Sequence, residues 1–177
     1  SGIRSLRREF VEDAANEKNA IFADSLATLY QAAGNFDSAV WFAEEASEFF
    51  NNTESWNKAG DLYYQAYTLS VDQAKQKRLA EKSREFYAKV LDSNPDHLDV
   101  KTKMAMTYLS AQNPMQGIKM LREVLEVDPT NELALLNMGM LSIQSGQHER
   151  AVARLQELVK INPDHIQGRL LLGIALM

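Results

Sequence analysis

Residues 128–165 read DPTNELALLNMGMLSIQSGQHERAVARLQELVKINPDH, and the order of elements in this stretch decides the fold. It opens and closes on a Pro turn, Asp128-Pro129-Thr130-Asn131 and Asn162-Pro163-Asp164-His165. Between the turns Leu135, Met138 and Leu141 recur at helical spacing, Gly146 interrupts, and Ala151, Val152, Leu155 and Leu158 resume the pattern. Apolar residues three and four apart share one face of an α-helix, so the stretch predicts two amphipathic helices joined by a tight turn. A third turn, Asn94-Pro95-Asp96-His97, precedes them, and Pro95, Pro129 and Pro163 are evenly spaced along the chain. Segment 98–131 repeats the pair with Met104, Ala105 and Tyr108, then Asn113-Pro114, then Gly117, Leu121 and Val124. Pro114 suits the first turn of a helix capped by Asn113. Self-similarity at this period marks an array of stacked helix pairs, since no single pair can bury its own apolar face.

These residues resemble the tetratricopeptide repeat family, whose 34-residue unit carries Trp, Leu, Gly, Tyr, Ala, Phe, Ala and Pro at set places. Segment 132–165 supplies Leu135, Met138, Gly139, Ser142, Ala151, Leu155, Leu158 and Pro163 there. Segment 20–52 supplies Ala23, Leu26, Ala27, Tyr30, Gly34, Ala39, Ala43 and Ala46 without a closing Pro, and segment 53–97 supplies Trp56, Ala59, Gly60, Tyr63, Ser83, Tyr87, Val90 and Pro95. The resemblance implies an all-α, right-handed α-solenoid over residues 1–177. It would hold a leading helix within 1–18 (Ile3, Leu6, Phe10, Val11 and Ala14 on one face), helix pairs at 20–52, 53–97, 98–131 and 132–165, and the first helix of a fifth pair at 166–177. Segment 53–97 overruns the period by about three helical turns, which predicts longer helices rather than a loop.

Composition narrows the function. The 177 residues are 45% hydrophobic with no Cys, which excludes a disulfide framework, a Cys-based zinc site and a thiol nucleophile. The absence of Cys fits a bacterial cytoplasm or an extracytoplasmic space equally. The net charge of −5 lies wholly in residues 1–52, which hold 9 acidic and 4 basic side chains, and it argues against a nucleic-acid partner. No apolar run is long enough to span a bilayer. The start at Ser1-Gly2-Ile3 and the end at Met177, inside an apolar pattern, read as an excised segment of a longer chain. Glu44, Glu45 and Glu48, like the run Lys75, Lys77, Arg78, Lys82, Arg84 and Lys89, read as solvated helix faces.

Nothing in the sequence reads as catalytic, cofactor-binding or metal-binding: there is no Gly-rich phosphate loop, His-Glu-x-x-His or Gly-x-Ser-x-Gly. His97 and His165 sit in equivalent turns and read as turn and capping residues, with Asp96 and Asp164 as N-caps. The resemblance instead implies a protein-binding scaffold whose groove is lined by the first helix of each pair. In the first two pairs those positions are Ile21, Asp24, Thr28 and Gln31, then Glu54, Asn57, Asp61 and Tyr64. In the third they are Asp99, Thr102, Met106 and Leu109, in the fourth Leu133, Leu136, Met140 and Ile143, and in the fifth Gln167, Leu170, Ile174 and Met177. The expected binding half is therefore apolar: Met106, Leu109, Leu133, Leu136, Met140, Ile143, Leu170 and Ile174, suited to an apolar or amphipathic segment of a protein partner. The family's carboxylate clamp is not expected, because Asp24 and Asp99 stand where basic residues would be needed. A homodimer through helix 166–177 and an accessory or assembly role are the alternative.

Overall fold

The computed structural model describes residues 17–109 and 114–177. The expected leading helix over 3–15 and the Asn113 cap lie outside them. Among the described residues the chain is all helix: α1 Glu17–Ala32, α2 Phe36–Phe50, α3 Thr53–Leu69, α4 Gln73–Ser93, α5 Leu98–Leu109, α6 Pro114–Val127, α7 Glu132–Gln144, α8 His148–Ile161 and α9 Ile166–Ala175. The described residues divide into two compact units between Val100 and Lys101.

In the first unit α1 packs on α2, α2 on α3, and α3 on α4. Its core is Ala27, Ala39, Val40, Ala43, Ala59, Leu62, Tyr63, Ala66, Leu79 and Phe86, with Tyr30, Phe36, Phe42, Trp56 and Tyr67 packed around it. Alanines at the helix contacts bring backbones close, and aromatic rings fill the flanks: Tyr30 stacks on Phe42 at 5.5 Å and Tyr63 on Phe86 at 5.9 Å. The excess of this segment over the repeat period is helical, since α4 runs for 21 residues against 15 in α2 and only Ser70–Asp72 connect it to α3. Asp72 caps α4 by accepting from the Lys75 amide.

In the second unit α6 packs on α7, α7 on α8, and α9 on both α7 and α8. Leu135, Ala151, Leu155, Leu158 and Ala175 form the core, with Leu125, Leu136, Ile143, Val152, Ile161, Leu171 and Leu172 against it. Gly139 is required by close approach: a Cβ there would lie 2.7 Å from Cγ and Cδ2 of Leu155.

Two turn types recur. After α1 and after α7 the chain reverses through Gly34 (φ +72°) and Gly146 (φ +70°). Asn35 donates to the Tyr30 carbonyl and Gln147 to the Ser142 carbonyl, the hydrogen bond that closes a helix C-terminus on a left-handed residue. The Pro turns share a second pattern. The amides of His97, Asn131 and His165 donate to the carbonyls of Asn94, Asp128 and Asn162. The same three side chains then cap the next helix, accepting from Val100, Ala134 and Gly168 at 3.5, 3.0 and 3.0 Å. This corrects the expectation for Asp96 and Asp164. A cap must immediately precede the first helical residue to reach the amide three positions on, and that place, two after each Pro, belongs to His97, Asn131 and His165.

Candidate functional site

The eight apolar residues expected to line the groove all belong to the second unit, and the structure sorts them by exposure. Leu133 of α7 (37% exposed) and Leu170 and Ile174 of α9 (63% and 38%) face solvent. Leu136 and Ile143 are half-buried and pack against the core of α8 and α9. Met140 and Met106 are half-buried. Leu109 lies against α6, where a Cβ on Gly117 would come within 2.9 Å of its Cδ2. Because α7 touches α9, Leu133, Leu170 and Ile174 stand on neighbouring helices as solvent-facing aliphatic side chains. Thr102, placed in the groove by position, is buried instead.

The corresponding positions of the first unit are occupied by polar contacts within the chain. Lys58 of α3 donates to the Asp24 carboxylate at 2.6 Å, the Asp24 carbonyl at 3.0 Å and the Thr28 hydroxyl at 2.8 Å on α1. Two helical turns further on, the Gln31 amide donates to that of Gln65 at 2.9 Å. The Tyr87 hydroxyl, reaching from α4, donates to Asp61 at 2.6 Å. Burial, then the negative charge of Asp61, pushes the Tyr87 phenol far above its ordinary range, so it stays a donor. These contacts escaped the sequence reading. The signal was present, since Asp24 and Lys58, like Gln31 and Gln65, are separated by one repeat period.

The second helices are joined by charge. Lys75 pairs with Asp37 at 2.8 Å and Lys82 with Glu44 at 2.7 Å, linking α4 to α2. Glu44 also accepts from the Tyr63 hydroxyl. On these partly solvated faces Glu44, Lys75 and Lys82 are ion-paired across helices. Acidic α2 and basic α4 lie side by side, and opposite charges there close on each other. Lys89 adds a cation–π contact, 5.1 Å above the Phe86 ring.

Glu45 behaves differently. Burial, then the charges of Glu48 and Glu44, holds its carboxyl above the ordinary value. The folded chain therefore binds this proton more tightly than the unfolded chain. The contribution to stability is favourable at low pH and is lost as pH rises through the raised value. Glu45→Gln is expected to raise the first unit's unfolding midpoint at pH 7 and to leave it nearly unchanged at pH 4. Urea titrations followed by Trp fluorescence at both pH values check this; an equal shift at both would rule out ionisation as the cause.

Two shallow hollows are lined by described residues, one at Gly146–Arg150 and one bounded by Gly34–Asp37, Ala66, Leu69, Ser70 and Lys75. Among the described residues no group of three His, Asp or Glu side chains is placed to hold a metal ion, and no helix is long and apolar enough to cross a membrane.

Comparison with known proteins bears on the second unit most directly, because residues 109–174 match the family model of the tetratricopeptide repeat. Residues 109–174 belong to the tetratricopeptide repeat family. Solved structures extend the likeness in fold to most of the chain. MamA (residues 41 to the end) from Desulfovibrio magneticus superposes with a TM-score of 0.71 at 17% identity, covering 91% of this chain and 85% of that one. YrrB, described as a TPR protein with an unusual peptide-binding site, superposes with a TM-score of 0.62 at 17% identity, covering 94% and 81%. In sequence, the DnaJ homolog subfamily C member 7 homolog of Schizosaccharomyces pombe is 27% identical over 165 residues, 88% of this chain. The peroxisomal targeting signal receptor of Komagataella phaffii is 28% identical over 138 residues, 78% of this chain. The chain spans 34% and 22% of the length of these two relatives. The tetratricopeptide match over residues 109–174 supports a protein–protein interaction module.

Proposed function

We propose that this tetratricopeptide module is a non-catalytic scaffold or adaptor that holds an apolar or amphipathic segment of a partner protein on the first-helix face of its second unit. The carrying observation is the exposure of Leu133, Leu170 and Ile174 on touching helices, with half-buried Leu136, Met140 and Ile143 beneath and Met106 and Leu109 on α5. Adjacent exposed aliphatic side chains mark an interaction surface more often than isolated ones do, and Met adapts to varied partners. The first unit's face is satisfied internally by Asp24–Lys58 and Gln31–Gln65, which leaves the apolar face as the better seat. The peptide-binding and targeting-receptor descriptions of YrrB and the Komagataella protein favour the same reading.

Leu133→Glu combined with Leu170→Glu tests it. Both side chains are exposed, so stability changes by about 0.5 kcal/mol or less at each, while capture of a partner segment falls at least tenfold. Unchanged capture in a folded double variant would sink the proposal. A second reading rests on α9 and the residues after it, where Ile166, Leu176 and Met177 are 81%, 64% and 97% exposed. Here the same face joins two copies in a homodimer and the module acts in assembly. Sedimentation of the same double variant separates the readings: a dimer that becomes monomeric favours assembly, and a chain monomeric before and after favours the adaptor.

A further inference from the structure

Three arginines of the second unit come together without a carboxylate. Arg150 and Arg154 are four residues apart on α8 and so share one face of it. Arg122 joins them from α6, one turn before Leu125, which packs against the core that holds Leu155. Arg154 is half-buried and reaches across to α7, donating through Nη1 to the Ser142 hydroxyl and, at 3.3 Å, to the Met138 carbonyl. Its Nη2 and Nε have no partner among the described residues. Arg150 is exposed and oriented by the Gln147 side-chain oxygen, to which its Nη1 donates at 2.7 Å. Arg122 is exposed too. On the same helices Glu123 pairs with Lys101 and Lys119, and Glu157 with Lys160. Among the described residues none of the three arginines is ion-paired.

Burial, then the charges of Arg150 and Arg122, holds the Arg154 guanidinium below its ordinary pKa. Like charges four apart weaken a helix, so the fold gains nothing from this grouping, whereas an anion from outside would relieve it. The spacing indicates which anion. Four residues of helix advance about 6 Å, and alternate residues of an extended chain stand about 6.6 Å apart. Carboxylates along one side of an extended segment therefore meet Arg150 and Arg154 in turn, and each guanidinium offers a planar fork that fits a carboxylate. We propose that Arg122, Arg150 and Arg154 form a docking surface for an extended acidic segment of a partner protein, with Asp or Glu at alternate positions. This surface shares no residue with the apolar face of Leu133 and Leu170, so either reading can fail alone.

Fluorescence anisotropy of a labelled peptide of alternating Glu and Ser, titrated with the whole chain, tests the docking. The peptide should bind about tenfold or more tighter than the same peptide with Gln in place of Glu. Arg122→Gln combined with Arg150→Gln, both at exposed positions, should abolish that preference and leave the thermal midpoint of the second unit unchanged or raised, because a repulsion is relieved. Lys77→Gln combined with Arg78→Gln, exposed on α4, changes the net charge equally and should keep the preference. The proposal is overturned by equal binding of the two peptides, by a preference that survives the arginine substitutions, or by one lost equally in the Lys77 and Arg78 variant, which would make net charge the cause. It is also overturned by a loss accompanied by a lowered midpoint, which would give the arginines to the fold, or by displacement of the peptide by inorganic phosphate at equal concentration, which would make the cluster a simple anion site.

Discussion

Gly117→Ala is expected to lower the thermal midpoint of the second unit by several degrees. A Cβ at this place would come within 2.6 Å of the Ala105 carbonyl oxygen and 2.9 Å of Leu109 Cδ2. The Leu side chain can rotate aside. The carbonyl belongs to the backbone of α5, so α5 and α6 must separate. Overpacking of this kind costs about 1–3 kcal/mol, against about 1 kcal/mol that Ala gains over Gly inside a helix. A net loss of about 1 kcal/mol corresponds to about 4–8 °C for a unit of this size. The chain carries its own control. Trp41 and Trp56 both lie in the first unit, so Trp fluorescence should keep its midpoint while far-ultraviolet dichroism shifts. A raised midpoint in the second unit would show that the approach of the two backbones is looser than described.

Leu155→Ala should cost more, about 2–5 kcal/mol, because Leu155 is fully buried in the core of α7, α8 and α9. Its seat is Gly139, and this makes the loss partly reversible. Gly139→Ala alone drives a Cβ into Leu155 at 2.7 Å and costs about 1–3 kcal/mol. With both substitutions, the new methyl group enters the space that Leu155 vacates, so the double variant should be more stable than the sum of the singles by about 1–2 kcal/mol. Denaturant titrations of the four chains measure that difference. Additivity within about 0.5 kcal/mol would mean that the two residues are not packed as knob and seat.

How much of this was legible in the sequence depended on which interactions repeat. Helix positions followed from apolar spacing and the three Pro turns, because burial and turn geometry are local and recur at one period. The small residues Ala27, Gly60, Ala105 and Gly139 were recognisable because each stands at the same place in its pair, and all four are buried. His97 and His165 were legible as capping residues, whereas Asp96 and Asp164 were placed one residue too early, Asp being the stronger capping type; aligning the turns on Pro puts His97, Asn131 and His165 in register. The polar ties between pairs were harder. Asp37–Lys75 and Glu44–Lys82 are separated by more than one repeat period, because the longer α4 shifts which residues meet. On the candidate surface, position alone did not separate Leu136 and Ile143, which lean on the core, from Leu133, Leu170 and Ile174, which do not. That distinction depends on where α9 lies against α8.

The three acceptors gathered around Lys58 bear on what happens in a crowded solution. An acidic peptide arriving at this face of the first unit finds the Lys58 ammonium already engaged. It must displace the Asp24 carboxylate, and the displaced carboxylate then repels it. Binding there is an exchange with no net gain in ionic contacts, so raising the concentration of acidic bystanders does little to fill the face. Leu133 and Leu170 of the second unit face solvent, and an apolar visitor gains contact there by expelling only water. Within one chain, one surface resists nonspecific occupancy while the other remains available, and the difference comes from a single lysine satisfied by its own neighbours.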